Sequence, residues 1–215
     1  GRDAEKVINH VSAGDMSVEP GKMVYTQWLN EQGGISADLT ATRLAEDCYM
    51  VMTAFSSHTR DFNWLQRHIP ADAHAILTDV TAAYAGINVQ GPNSRKLLEK
   101  VSPTDFSNEA FPFGTSQEIE LGYATIRASR ISYVGELGWE LCVPTDMALH
   151  VYEVLTEAGK EFNLAQVGMH AMNSLRIEKA YRHWGHDIAD EDTPIEAGLS
   201  FAVKYDKPGG FIGRD

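Results

Sequence analysis

The stretch Met23-Val-Tyr-Thr-Gln-Trp-Leu-Asn-Glu-Gln-Gly-Gly-Ile-Ser-Ala-Asp38 decides the fold class of the chain. Its first half is rich in β-branched and aromatic residues, which are typical of strands. Glu-Gln-Gly-Gly at residues 31–34 predicts a turn, after which the apolar pattern resumes at Ile35. Residues 48–52 repeat the pattern once more, so the sequence predicts an antiparallel β-meander over residues 23–53.

Helices and further strands are predicted on both sides of this meander. Helical periodicity covers residues 2–13, a short segment after His58, and residues 93–100, 146–159 and 168–180. Strand patterns cover residues 76–80, 84–89, 118–132 and 139–143. Because hairpins and helices follow no regular alternation, the sequence predicts an α+β fold with antiparallel sheets, rather than a doubly wound parallel sheet. Breaks at Ser102-Pro-Thr-Asp105 and Phe111-Pro-Phe-Gly114 place an expected lobe boundary near residues 105–115.

The charge balance disfavours two classes of partner. The 215 residues carry 18 Lys and Arg against 30 Asp and Glu, for a formal net charge of -12. Such a chain offers no basic face for a nucleic acid and repels anionic lipid. No apolar run approaches the roughly 18 residues that a membrane span needs. We therefore expect no nucleic-acid or membrane partner, and a cytoplasmic location or, in a eukaryote, the mitochondrial matrix.

The residues that often bind metals or nucleotides are interpreted as structural. Cys48 and Cys142 lie in apolar runs without Cys-x-x-Cys spacing, which predicts two buried free thiols. His183 and His186 flank Gly185 without a further ligand cluster, so no metal site is predicted. No Gly-x-Gly-x-x-Gly segment is present, so we expect no dinucleotide-binding site within this chain.

Three charged residues are candidates for a functional site. Glu136 lies between Gly135 and Gly138 in a predicted turn, where its carboxylate could accept the parallel N–H donors of a pterin; spacing alone favours a solvated turn glutamate. Asp61 lies at a predicted helix N-terminus, where a helix cap is the alternative interpretation. Arg176 lies on a partly apolar helix and needs an anionic partner if it is buried.

Five ordered groups of motifs carry a resemblance to a known family. They lie at residues 25–38, 89–94, 132–140, 174–179, and 193–199 with 211–214. Together they resemble the folate-binding aminomethyltransferase domain, the fold of the glycine cleavage T-protein. The segment Tyr181-Arg-His-Trp-Gly-His-Asp187 most resembles the corresponding segment of this domain in sarcosine and dimethylglycine dehydrogenases.

The resemblance implies a fold of two related lobes and a set of site residues. It implies that Asp61 is the catalytic acid near the reacting folate nitrogens, and that tetrahydrofolate is bound by Glu136, Arg176, Tyr133 and Tyr25. It also implies a preceding FAD-binding domain in the same polypeptide, which delivers a small intermediate derived from an N-methyl amine. On this basis we expect the sequence to be a fragment of that polypeptide, truncated at both ends.

Two alternatives remain open at the level of sequence. One is a non-catalytic regulatory module of the same fold, as in the phosphatase regulatory subunit that resembles these dehydrogenases. The other is a folate-dependent demethylase, such as an enzyme of sulfonium compounds, which needs no flavin partner. The iron–sulfur assembly branch is set aside because its Lys-Gly-Cys-Tyr-x-Gly-Gln motif is absent.

Overall fold

The computed structural model describes all 215 residues, which form two compact units. One unit comprises Gly1–Thr78 and Arg182–Asp215, and the other comprises Asp79–Tyr181. The lobe boundary expected near residues 105–115 falls at neither junction. Phe106 from that segment is fully buried in the core of the second unit, so these chain breaks are loops within one unit.

The first unit contains the predicted meander. Its helices and strands are α1 (Ala4–Val11), β1 (Met23–Leu29), β2 (Ile35–Ala45), β3 (Cys48–Met52) and α2 (His58–Arg67). The three strands form one antiparallel sheet in the order β1-β2-β3. The meander and both helices are therefore confirmed.

Alternation along β2 gives the sheet two different faces. Ala37, Leu39 and Ala41 are buried and pack in a core cluster with Trp28 and with apolar residues of α1. The intervening residues of β2 are only half-buried, as expected when successive side chains point to opposite faces. A second cluster joins Leu29 of β1 to residues of the segment after 182.

Two irregularities interrupt β2. Trp28 pairs with Ala37 and Leu29 pairs with Ile35, which leaves Ser36 as an extra residue without a partner in β1. A second register shift lies between Arg43 and Ala45, opposite β3. Because β3 ends opposite residue 40, the first five residues of β2 have a neighbouring strand on one side alone.

The second unit is a four-stranded antiparallel sheet with helices. In chain order its elements are β4 (Tyr84–Gln90), α3 (Ser94–Val101), β5 (Ser116–Leu121), β6 (Ala124–Ser129), β7 (Gly138–Pro144), α4 (Ala148–Gly159) and α5 (Met169–Glu178). The strand order is β4-β7-β6-β5. Trp139, Leu141 and Val143 of β7 face a core that also includes residues of α3 and α4. The predicted α+β class with antiparallel sheets is confirmed.

Three details of the sequence prediction are wrong. Residues 76–80 form no strand: Ala75 and Leu77 pack against the first core, which produces the alternating pattern, but no strand pairs with the segment. Residues 118–132 contain two strands, because Gly122, with φ +59°, turns the chain into a hairpin. Cys48 is exposed because it directly follows the β2–β3 turn, whereas Cys142 is buried as predicted. None of the helices is long and apolar enough to cross a bilayer.

Candidate functional site

The loop between β6 and β7 is held in a tight turn that presents Glu136. Ser132 Oγ accepts hydrogen bonds from the backbone N–H groups of Val134 and Glu136, each at 3.2 Å. Gly135 has φ +68°, and a Cβ there would overlap the Lys179 side chain, so the turn favours glycine. The Glu136 side chain is exposed. Its position in the turn agrees with the prediction, and its surroundings are those of a solvated glutamate.

A second carboxylate, which the sequence prediction missed, lies four residues further on. Glu140 is half-buried on β7, and burial raises the pKa of its carboxyl group. Its neighbours across the sheet are Asn88 and Ser129, and no side chain donates a hydrogen bond to its carboxylate. A carboxylate removed from water without a donor is well suited to a ligand that supplies one. The available signal was alternation: Trp139 and Leu141 face the core, so Glu140 faces away from it.

An orphaned acceptor lies beside the start of the same strand. Gln90 Oε1 is buried without a hydrogen-bond partner. A Cβ on Gly138 would overlap this oxygen and would lie 2.6 Å from the carbonyl oxygen of Val89, so the close approach depends on glycine. Gln90 pairs with Gly138 across the sheet, and Asn88 pairs with Glu140 in the same register. The β4–β7 pair therefore carries two oxygen acceptors that the protein leaves without donors.

Arg176 is fixed next to a pair of tyrosines. It is 3% exposed, and its Nε donates to Asn173 Oδ1 at 2.7 Å. Its Nη1 donates to the carbonyl oxygen of Tyr181 at 2.9 Å, just after α5 ends. The rings of Tyr133 and Tyr181 stack with centroids 6.3 Å apart. Thus the structure brings two predicted site residues, Arg176 and Tyr133, to a common neighbour in the second unit.

Asp61, the predicted catalytic acid, is engaged by four donors in the first unit. Its Oδ2 accepts hydrogen bonds from Thr53 and from Ser57, the latter at 2.7 Å. Its Oδ1 accepts from Arg60 Nε and Nη2 at 2.9 and 2.8 Å. The side chain is 3% exposed and caps no helix, so the capping interpretation is wrong. With all these donors in place, the carboxylate is a structural anchor in this conformation.

Another half-buried carboxylate lies beside Tyr25, the remaining predicted site residue. Asp38 of β2 accepts a hydrogen bond from Gln27 Nε2 at 2.9 Å and another from the Tyr25 side chain. Burial is the main influence on Asp38 and raises the pKa of its carboxyl group. Gln27 Oε1 is buried without a partner, and Tyr25 stacks on Phe201 with ring centroids 6.0 Å apart. A half-buried acid with a raised pKa, between aromatic and amide side chains, holds a proton more readily than an exposed one.

His183 and His186 lie together but form part of a local turn. Their ring centroids are 4.5 Å apart, and the carboxylate of Asp187 accepts the backbone N–H of His183. The chain contains no group of three His, Cys, Asp or Glu side chains that could hold a metal ion.

Comparison with known proteins places the chain in a family. The GCVT N-terminal domain matches residues 1–207. The chain belongs to this family. This GCVT domain is 45% identical over 217 residues to 4-methylaminobutanoate oxidase (formaldehyde-forming) of Paenarthrobacter nicotinovorans, covering 100% of this chain and 26% of the oxidase. It is 39% identical over 233 residues to mitochondrial sarcosine dehydrogenase of Mus musculus, covering 100% of this chain and 25% of the dehydrogenase.

A solved structure extends this result to the fold. The GCVT domain matches the crystal structure of glycine cleavage system aminomethyltransferase T from Bartonella henselae with a TM-score of 0.84 and 28% sequence identity. The match covers 100% of this chain and 57% of that protein. The predicted family and fold are therefore confirmed, and the chain spans about a quarter of the length of the oxidase and dehydrogenase relatives.

Proposed function

We propose that this GCVT domain binds tetrahydrofolate and transfers a one-carbon unit to it, within a polypeptide that also oxidises an N-methyl amine with FAD. The observation that carries the proposal is Glu140, a half-buried carboxylate without a donor in the protein. The names of the relatives support the rest, since an aminomethyltransferase transfers a one-carbon unit, and sarcosine and 4-methylaminobutanoate are N-methyl amino acids. We likewise propose the FAD-binding domain and the N-methyl amine substrate.

The acceptors on the β4–β7 pair fit the edge of a pterin ring. That edge presents an amino group and a ring N–H side by side, as a guanidine does, and a carboxylate accepts such a pair in a bidentate manner. We assign this role to Glu140 rather than to Glu136, because a desolvated carboxylate gains more from a ligand's donors than an exposed one. Gln90 Oε1 supplies a further acceptor, and Arg176 and Tyr133 supply a fixed cation and an aromatic face.

The chemical problem is to capture a reactive carbon before water does. Oxidation of an N-methyl amine gives an iminium ion, which water hydrolyses to formaldehyde and the demethylated amine. A site that holds folate beside the arriving carbon supplies proximity and excludes water. Near that carbon a carboxylate can stabilise the iminium and accept the proton that leaves the folate nitrogen.

We propose Asp38 for this acid–base role, with Asp61 as the competing prediction. Burial raises the pKa of Asp38, whereas the Asp61 carboxylate is already engaged by four donors. The variant Asp38→Asn in the full-length protein tests this assignment directly. We expect Asp38→Asn to lose one-carbon transfer, and raising the pH should not restore it. Transfer at the wild-type rate by this variant would contradict the assignment.

The fate of the oxidised carbon tests the function as a whole. The full-length polypeptide should release free formaldehyde when tetrahydrofolate is absent and should form methylenetetrahydrofolate when it is present, at an unchanged rate of amine oxidation. Quantifying both products in one reaction series measures this partition. If formaldehyde release is the same with and without tetrahydrofolate, and no folate binds, the regulatory interpretation replaces this proposal.

A further inference from the structure

The bulge in β2 lies just before Asp38 and depends on support from outside the sheet. Ser36 is the extra residue of the bulge, and Asp38 follows it by two positions on the half-buried side of the strand. Bulges bend a strand and change the direction in which nearby side chains point. A slip of one residue would move Asp38 to the opposite face. The direction of the Asp38 carboxylate therefore depends on how firmly this bulge is held.

Two side chains bind the bulge on the edge that lacks a neighbouring strand. Trp184 Nε1 donates a hydrogen bond to the carbonyl oxygen of Ile35 at 2.7 Å. Arg60 Nη2 donates to the carbonyl oxygen of Ser36. The Arg60 guanidinium also lies over the Trp184 ring, 3.9 Å from its centroid. Two consecutive carbonyl groups of the bulge thus accept hydrogen bonds from two side chains that also stack on each other.

Asp61 fixes the arginine of this arrangement. Arg60 Nε and Nη2 both bind Asp61 Oδ1, and the other carboxylate oxygen accepts hydrogen bonds from Thr53 and Ser57. Charge-assisted contacts of this kind, with a planar guanidinium stacked on an aromatic ring, restrict the arginine to one orientation. Asp61 is therefore connected to Asp38 through Arg60 and the bulge.

We propose that Asp61, Arg60 and Trp184 form a positioning clamp, which acts through the Ser36 bulge to aim Asp38 during one-carbon transfer. The inference rests on the proposed function and deepens it, because it gives Asp61 a positioning role in the same reaction. Misplacing a reacting group by about 1 Å can lower a rate by roughly a hundredfold. Loss of the clamp should accordingly lower the rate of transfer without removing folate binding.

The same strand provides a matched control. Arg43 lies at the second irregularity of β2, where its guanidinium donates to the carbonyl groups of Val18 and Glu46 and lies over the Tyr49 ring. Both arginines thus hold backbone carbonyls and stack on an aromatic ring. Arg43 lies five positions beyond Asp38, roughly 17 Å along a strand. If Arg60 had only a structural role, replacing it should change the transfer rate in the same way as replacing Arg43.

The test compares Arg60→Gln, Asp61→Asn and their double variant with Arg43→Gln, all in the full-length protein. The readouts are the kcat of methylenetetrahydrofolate formation, the KM for tetrahydrofolate, the rate of amine oxidation and the thermal midpoint. We expect each clamp variant to lose ten- to a hundredfold in transfer kcat, with KM and amine oxidation nearly unchanged. The double variant should lose no more than either single variant, because both changes remove one unit.

Conservative replacements distinguish positioning from charge. Arg60→Lys should transfer the one-carbon unit as slowly as Arg60→Gln, because an ammonium group cannot bind Asp61, Ser36 and Trp184 at the same time. Trp184→Phe should lose less, because it keeps the stacked ring and loses only the hydrogen bond to Ile35. Wild-type transfer by Arg60→Gln, or an equal loss in Arg43→Gln, would overturn the clamp. A wild-type protein that forms no methylenetetrahydrofolate would instead remove the proposed function itself.

Discussion

At the scale of single residues, the candidate site depends on carboxylates that the fold keeps away from water. Glu140 and Asp38 are half-buried, and burial raises the pKa of each carboxyl group. Binding sites often retain such groups at a cost to stability, because a ligand rather than the protein satisfies them. By contrast, the Glu136 carboxylate is exposed to solvent, and the Asp61 carboxylate accepts hydrogen bonds from neighbouring side chains.

The replacement Glu140→Gln should therefore stabilise the folded chain at neutral pH. A carboxyl group with a raised folded-state pKa favours folding only while it is protonated, so its contribution falls as the pH rises from about 4.5 through the folded pKa. The wild-type chain and the variant should differ least near pH 4, and the variant should gain an advantage above it. Urea unfolding across this pH range measures the difference; a wild-type chain that is the more stable at pH 7 would contradict the assignment.

The turn that carries Glu136 should not tolerate a side chain at Gly135. Gly135→Ala places a Cβ at φ +68° and close to Lys179, which should cost about 1 to 2 kcal/mol of unfolding free energy. Gly86→Ala is the control, because Gly86 has no heavy atom within 4 Å of the added Cβ. Thermal unfolding of the two variants should show a lower midpoint for Gly135→Ala alone. Equal midpoints would mean that the turn is not constrained.

At the scale of elements, one lysine joins the end of α1 to the C-terminal segment. Lys207 is 5% exposed, and its ammonium group donates to the backbone carbonyls of Asn9, Ser12 and Gly14. These carbonyls lie at and just beyond the C-terminus of α1, where helix carbonyl groups lack partners. Burial lowers the pKa of Lys207 to about 8. The closure of the first unit therefore depends on an ionisable group.

The stabilisation provided by Lys207 should increase at alkaline pH. Below about pH 8 the amine is charged in the folded and unfolded states, and the folded state bears the cost of burying the charge. Between that value and the ordinary 10.5, the folded state releases the proton while the unfolded state keeps it, so the unfolding free energy rises. Lys207→Met removes this dependence. Urea unfolding of both forms between pH 7.5 and about 10 checks it, and parallel curves would contradict it.

Helices and strands were predictable where the local sequence pattern determines them. They were not predictable where they depend on pairing with a strand distant in sequence. The meander follows from alternation and from the turn at residues 31–34, and both were confirmed. Residues 76–80 alternate equally well but have no strand to pair with, which the sequence does not reveal. Likewise, Arg60 and Trp184 lie far apart in sequence, so their stacking on the β2 bulge was not predictable.

At the scale of the whole molecule, the sequence identified the family, and the folded structure leads us to propose other acids for its site than the sequence did. Motif order was sufficient for the family because it spans nearly the whole chain, as the match over residues 1–207 confirms. Burial separates Glu140 from Glu136, and engagement by neighbouring donors separates Asp61 from Asp38; both are properties of the folded chain. The predicted roles of Arg176, Tyr133 and Tyr25 remain predictions.

The most direct measurement is calorimetric titration of tetrahydrofolate into the full-length protein and into its Glu140→Ala and Glu136→Ala variants. Removing a bidentate, charge-assisted contact should cost about 1.5 to 3 kcal/mol, which is roughly a ten- to hundredfold loss of affinity. The account predicts this loss for Glu140→Ala and near wild-type affinity for Glu136→Ala. The reverse order, or equal affinity in all three proteins, would contradict the assignment of the folate site.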